Sequence, residues 1–234
     1  TSWWFDHLAQ RLLGAEKVRQ AFRDPKRSTP WTETGFLQAA QMVEDLLDRG
    51  YIIEGFAGLN HIESELLFWR GQAATVFVGN WLTWARSDII ADDFPLYAYR
   101  FPDVEGGRGN PREMIGSLLT QSIPARARYP ELAAEFLRLL NSRWFQEKMV
   151  RRARMVSPLP NMPFPSIHQG LEGVLKEIER FHPFSFGLEG AQPFLYRQYW
   201  NKWNQFMVAR ELSAPQVLEE LEDLFISYYA NAAL

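Results

Sequence analysis

The residues of this chain best suited to chemistry do not assemble, in sequence, into a reaction centre. His7, His61, His168 and His182 lie far apart, and no two of them fall at the helical spacing of a metal pair. There is no cysteine, which removes disulfides, thiolate metal sites and a cysteine nucleophile. The glycine-rich stretch Gly106-Gly107-Arg108-Gly109 lacks the following Lys-Ser/Thr of a phosphate loop, and reads as a linker. Asp92-Asp93 and Glu219-Glu220 are adjacent carboxylates, whereas acid/base work needs two carboxylates facing one bond from separate environments. A glycosidase reading would have to use Asp92 or Asp103 with Glu189, and none of these has a motif behind it. Lys148, Arg151, Arg152 and Arg154 cluster where positive charge complements a helix C-terminus. The expectation is a protein with no catalytic residues, no metal and no cofactor.

Binding chemistry is better represented. Nine Trp, 8 Tyr and 17 Phe make up 15% of the chain. Most such rings fill cores. The block Phe68-Trp69-Arg70-Gly71-Gln72-Ala73-Ala74-Thr75-Val76-Phe77-Val78-Gly79-Asn80-Trp81 ends a helix at a glycine, runs on through β-branched residues, and turns to present an indole. The apolar face of a pyranose stacks on such a ring while its hydroxyls seek fixed polar partners.

Several elements would have to position these rings. Phe36, Leu37, Ala39, Ala40, Val43, Leu46 and Leu47 recur at helical spacing, with Gly50 as the cap. Asn60 with Glu63, Ser166 with Gln169 and Ser213 with Gln216 have capping-box spacing, which starts three further helices. Helices are also expected from Pro130, around Trp144 to Arg152, and from about Pro193 to Glu211. Ala73 to Val78, Phe94 to Phe101 and Met114 to Thr120 read as strands, and the loop from Asp103 to Pro111 as a hinge. Strands mixed with helices imply an α/β fold.

Composition narrows the partners. Hydrophobic residues are 47% and charged residues 23%, the balance of a folded globular chain. A net charge of -3 without a basic block gives no footprint for nucleic acid. No apolar run approaches a membrane span, and no signal peptide is present.

The block Phe68 to Trp81 resembles the aromatic-x-x-Gly-Lys/Gln-Ala-Ala stretch, hydrophobic strand and Gly-x-Trp turn of the extracellular solute-binding proteins of ABC importers, in their carbohydrate branch. Ile115-Gly116-Ser117, Tyr129 to Leu137 and Ser213 to Leu218 resemble further stretches of that family in the same order, so the resemblance runs along nearly the whole chain. It implies a periplasmic-binding-protein-like α/β fold (type II, maltose-binding-protein-like), here the C-terminal portion of a two-lobed receptor. Residues 1–112 would form the first part of the C-terminal lobe, 113–160 the return segment of the N-terminal lobe, and 161–234 the terminal helices of the C-terminal lobe. It also implies ligand contacts at Trp81, Trp4, Trp3, Trp84, Tyr196, Tyr199, Trp200, Gly116 and Ser117, with Trp81 as the stacking platform. Trp81, Trp4 and one of Tyr196, Tyr199 and Trp200 are expected on one concave surface. The implied function is capture of a carbohydrate, mono- or oligosaccharide, for delivery to ABC permease subunits in the membrane. Alternatives are a non-sugar solute on the same architecture and a carbohydrate-active enzyme. The implied location is periplasmic or extracellular, tethered as a lipoprotein in full-length form. The long N-terminal segment of the family has no counterpart here, so a missing segment or a second chain is expected to complete the fold and to cover an exposed apolar surface. Ile115-Gly116 stands where the family has Gly-Gly.

Overall fold

A computed structural model describes residues 2–84, 94–116, 120–165 and 169–232. It is a mixed, helix-rich chain whose contacts gather into two compact units. The first comprises Thr1–Ser64, Phe101–Ser117 and Ile178–Leu234, and the second Glu65–Arg100 and Leu118–Glu177. These divisions differ from the expected bounds at 112 and 160: the segment 65–100 joins the middle of the chain.

In the first unit, α1 (Ser2–Leu13) and α2 (Ala15–Arg23) are parted by Gly14, whose φ of 86° is open to glycine. α1 packs on α3 (Thr34–Asp48). α3 ends as its sequence demands: Gly50 takes φ 69°, and the Tyr51 amide donates to the Leu46 carbonyl at 3.0 Å. The core is aromatic. Phe5 lies 4.1 Å from Trp203 between ring centres, Trp31 meets Phe22 edge-on at 4.8 Å, and all four are fully buried. Trp203 comes from α10 (Pro193–Met207), which packs on α11 (Ala214–Ala232). The Ser213 amide donates to Gln216 Oε1 at 2.9 Å at the start of α11, as its capping spacing predicts. Glu222 of α11 accepts from two of the Arg27 nitrogens, Nε and Nη2, at 3.0 and 2.6 Å, and from the Trp31 amide at 2.7 Å, which pins the loop between α2 and α3.

Strand β1 (Glu113–Ile115) pairs in parallel with β2 (Arg180–His182) in the same unit. The expected strand from Met114 to Thr120 is therefore shorter and begins one residue earlier, while 117–119 lie outside the described residues. The glycine loop is a cap and not a free linker. Its Arg108 and Gly109 amides donate to the Leu12 and Arg11 carbonyls at 3.1 and 2.9 Å, satisfying the end of α1. A Cβ at Gly109 would stand 2.0 Å from the Gln10 carbonyl oxygen, so close approach explains the glycine.

In the second unit α4 (His61–Trp69), which starts in the first, supplies Phe68 and Trp69 to a small core around Leu82 and Leu96. The Asn60 amide donates to Glu63 at 2.8 Å and the Glu63 amide to Asn60 at 3.0 Å, the predicted reciprocal cap. α5 (Trp81–Trp84), α6 (Pro130–Leu140), α7 (Arg143–Ala153) and α8 (Leu171–Glu177) follow. The expected strand Ala73 to Val78 has no ladder partner among the described residues: Val76 and Val78 pack on the Leu82 and Leu96 cluster, and the backbone stays irregular. Phe94 to Phe101 makes one parallel bridge, Tyr97 to Gln169. Ser166, expected to open a helix, lies outside the described residues.

Candidate functional site

A groove of about 320 Å³ opens in the first unit. Its floor is apolar: Trp4 and Leu8 from successive turns of α1, Met42 and Leu46 from α3, and Phe101 and Val104 from the segment after the crossing. Asp45, Arg49, Tyr51 and Asp103 stand among its lining residues as polar groups. Three local features build it. The cap at Gly50 stops α3, so Tyr51 follows directly, 70% exposed. The Arg11 guanidinium, buried in α1, donates to the carbonyls of Phe101 and Glu113 at 3.2 and 2.9 Å and ties that whole segment onto the helix. Phe101 then meets Trp4 edge-on at 5.9 Å and the His7 ring at 5.0 Å.

Asp45 and Arg49 approach to 3.7 Å at well-exposed positions, and the buried Arg11 Nε lies 3.8 Å from Asp103. An exposed pair such as Asp45 with Arg49 carries little stability, so its oxygens and nitrogens can turn to a ligand. A ring-sized ligand with one apolar face and hydroxyls at its edge fits such a surface: the face on Trp4, the edge to the carboxylates.

Beneath the groove, neighbouring residues of α1 titrate in opposite senses. Asp6 is fully buried and accepts from the Tyr199 hydroxyl at 2.5 Å and the Ser185 hydroxyl at 3.1 Å. Burial pushes its carboxyl up to about 7, and the two hydrogen bonds only partly oppose this. Burial takes the His7 imidazole down to about 4, although its Nδ1 bonds the Trp3 carbonyl at 2.8 Å. His7 is therefore neutral at pH 7 and is structural.

The residues expected at the site divide between the units. Trp4 lines the groove. Trp3 stacks on Phe184 at 4.6 Å and 13°. Tyr199 is a correction: with no exposed surface and its hydroxyl given to Asp6, it belongs to the core and offers no face to a ligand. Tyr196 and Trp200, edge-on at 6.3 Å, are partly buried against the same core. Burial and the nearby Glu189 raise the Tyr196 phenol above its ordinary value. The Gly116 amide extends the β1–β2 pairing by donating to the His182 carbonyl at 2.8 Å. Ser117 lies outside the described residues. In the second unit, Trp81 is half-buried and its Nε1 donates to the buried Glu65 carboxylate at 3.3 Å. Its ring lies against Gly79, where a Cβ would stand 2.0 Å from it, so the Gly-x-Trp spacing makes room for the indole. The side chain of Trp84 lies outside the described residues.

Sequence reading missed Tyr51, Met42, Asp45, Arg49 and Phe101. The one available signal was the Gly50 cap, which places Tyr51 beside the last turn of α3. Phe101 was hidden because its position depends on Arg11, 90 residues away. Of the carboxylates an enzyme would use, Asp103 edges the groove, Glu189 is exposed on α9 (Leu188–Ala191), and Asp92 lies outside the described residues. Among the described residues no group of three or more His, Asp and Glu is placed to hold a metal. No described helix is long and apolar enough to cross a membrane.

No family model matches the sequence, and no curated protein matches it. Solved structures do. A chitin oligosaccharide binding protein superimposes on 97% of this chain with a TM-score of 0.75 at 19% identity. A chain described under xylan utilisation by the thermophilic bacterium Caldanaerobius polysaccharolyticus superimposes on 94% with a TM-score of 0.73 at 21% identity. This chain spans 56% and 57% of the length of those two. At such identities the likeness is one of fold: the chain is folded, along nearly its whole length, like part of each of these proteins.

Proposed function

We propose that this chain captures a carbohydrate, as part of the substrate-binding component of an ABC importer. The observation that supports this best is the apolar floor of the groove, with the Trp4 and Phe101 rings in it, in a chain folded over 97% of its length like part of a chitin oligosaccharide binding protein. In this reading the protein makes and breaks no bond. Trp4 offers its ring face to the sugar in the groove, where Asp45, Arg49 and Asp103 take hydroxyls, and Trp81 is a further stacking ring as the resemblance implies. The captured sugar passes to permease subunits in the membrane, which places the protein in the periplasm or outside the cell, with a lipid tether in the full-length form.

Tryptophan fluorescence separates this reading from its rivals. Titration with chitin and xylan oligosaccharides is expected to change emission saturably, and a matched panel of polyamines and short peptides is expected to leave it unchanged. Saturation by a polyamine or peptide alone would replace the sugar reading with another solute on the same architecture. Release of chromophore from aryl glycosides, lost on Asp103→Asn or Glu189→Gln, would replace it with an enzyme.

A further inference from the structure

The Asp6 carboxylate lies where three elements meet. It sits on α1 two residues from both Trp4 and Leu8, on the side of the helix turned away from the groove they line, and receives hydroxyls from Ser185 and from Tyr199 of α10. Ser185 belongs to the turn Phe184–Gly187, where Ser185 and Phe186 hold positive φ of 42° and 50°, a conformation that side-chain-bearing residues adopt only when their surroundings impose it. The first residue of that turn, Phe184, carries the Trp3 ring on its face. Among the described residues no lysine or arginine pairs with Asp6, so a negative charge there is met by two neutral donors and, more weakly, by the amino-terminal charge, in a dry site.

We propose that Asp6 is a positioning residue for the ligand-bearing face of α1: uncharged, it closes the junction of α1, the Phe184 turn and α10, and charged, it loosens that junction and weakens ligand capture. The inference rests on the carbohydrate reading for its ligand, but not for its mechanism. When neutral, the carboxyl can itself donate to one hydroxyl while accepting from the other, so every polar group of the junction is paired. When ionised, the two donors remain but the charge is only weakly compensated, and relief comes from letting the strained turn relax and water enter. The turn carries Phe184, so Trp3 moves with it, and Trp4 is its neighbour on the same helix.

The groups that face Asp6 leave its titration legible. α1 contributes His7, whose ring is neutral from pH 6 upward, and the amino-terminal charge acts on Asp6 only as the smallest of its influences. α10 contributes Tyr199, whose phenol is raised well above its ordinary value, and more distantly Tyr196. The turn contributes only the untitrating Ser185. Carboxyl burial sets the midpoint near 7.

The test is a pH titration from 6 to 8 of near-ultraviolet circular dichroism and tryptophan emission, on the chain and on Asp6→Asn, with chitotriose affinity measured at both ends. The chain is expected to show a transition near pH 7 and at least a threefold loss of affinity from pH 6 to pH 8. Asp6→Asn, an isostere of the neutral carboxyl, is expected to be flat and to keep at pH 8 the affinity the chain has at pH 6. A merely structural residue would give a variant weaker at every pH. An Asp6→Asn protein that titrates like the parent, or a parent with no transition, overturns the proposal. If Asp6→Asn does not fold, Tyr199→Phe decides: losing that donor raises the midpoint, and an unmoved midpoint overturns the proposal equally. If no saccharide binds at either pH, the carbohydrate reading falls while the optical titration still decides the role of Asp6.

Discussion

Two adjacent side chains, Asp6 and His7, give this protein opposed responses to acid. Asp6 has a folded value of about 7 against 3.8 for the free side chain, so its contribution is fully present below pH 3.8 and is lost as pH rises through 7. His7 has a folded value of about 4 against 6.5, so its contribution is present above pH 6.5 and is lost as pH falls through 4. Each shift corresponds to roughly 3–4 kcal/mol at its limit. Between pH 4 and 6.5 the two slopes oppose one another, and the denaturant midpoint is expected to stay nearly level. His7→Gln is expected to unmask a midpoint that falls as pH rises from 4 to 7, and Asp6→Asn one that rises from 4 to 6.5. Equal profiles for the parent and both variants would show that neither burial shift exists. Gly109 is a residue of the opposite kind, whose role is to be absent. Gly109→Ala would drive a methyl into the Gln10 carbonyl and uncap α1, at a cost of about 2 kcal/mol, read as a lower melting temperature.

Elements were legible in the sequence where their causes are local. Asn60 with Glu63, Ser213 with Gln216, and Gly50 after Leu47 each carry the donor, the acceptor or the missing Cβ within a few residues, and the structure forms all three caps. Strands were not legible, because pairing is decided elsewhere in the chain. Ala73 to Val78 has a strand's residues and, among the described residues, no neighbour to pair with, while Arg180 to His182, which gives no periodic signal, becomes β2 because Glu113 to Ile115 lies beside it. The same distance effect hid Phe101 from the site and put Tyr199 in it. An aromatic at helical spacing looks alike whether it faces solvent or a buried carboxylate. Long-range ties also hold the elements in place: Glu222→Gln would leave Arg27 nearly buried and uncompensated, and is expected to cost about 3 kcal/mol of stability by chemical denaturation. Loss of less than a tenth of the denaturant midpoint would show that the α11 tie does not hold the loop.

At the scale of the molecule, what the sequence suggested through its ordered motifs agrees with the fold of a chitin oligosaccharide binding protein, over 97% of this chain and 56% of that one. Fold does not carry function, and the site must be asked directly. The central claim is that aromatic faces of this chain hold a sugar. Calorimetric titration of one chitin oligosaccharide into the chain, Trp4→Ala and Trp81→Ala asks it most plainly. A stacked ring contributes on the order of 1 kcal/mol, so each variant is expected to bind about fivefold to tenfold more weakly, with a smaller favourable enthalpy and an unchanged fold by circular dichroism. Sugar affinity that survives undiminished in both variants, or a parent chain that takes up no saccharide at all, would contradict the account.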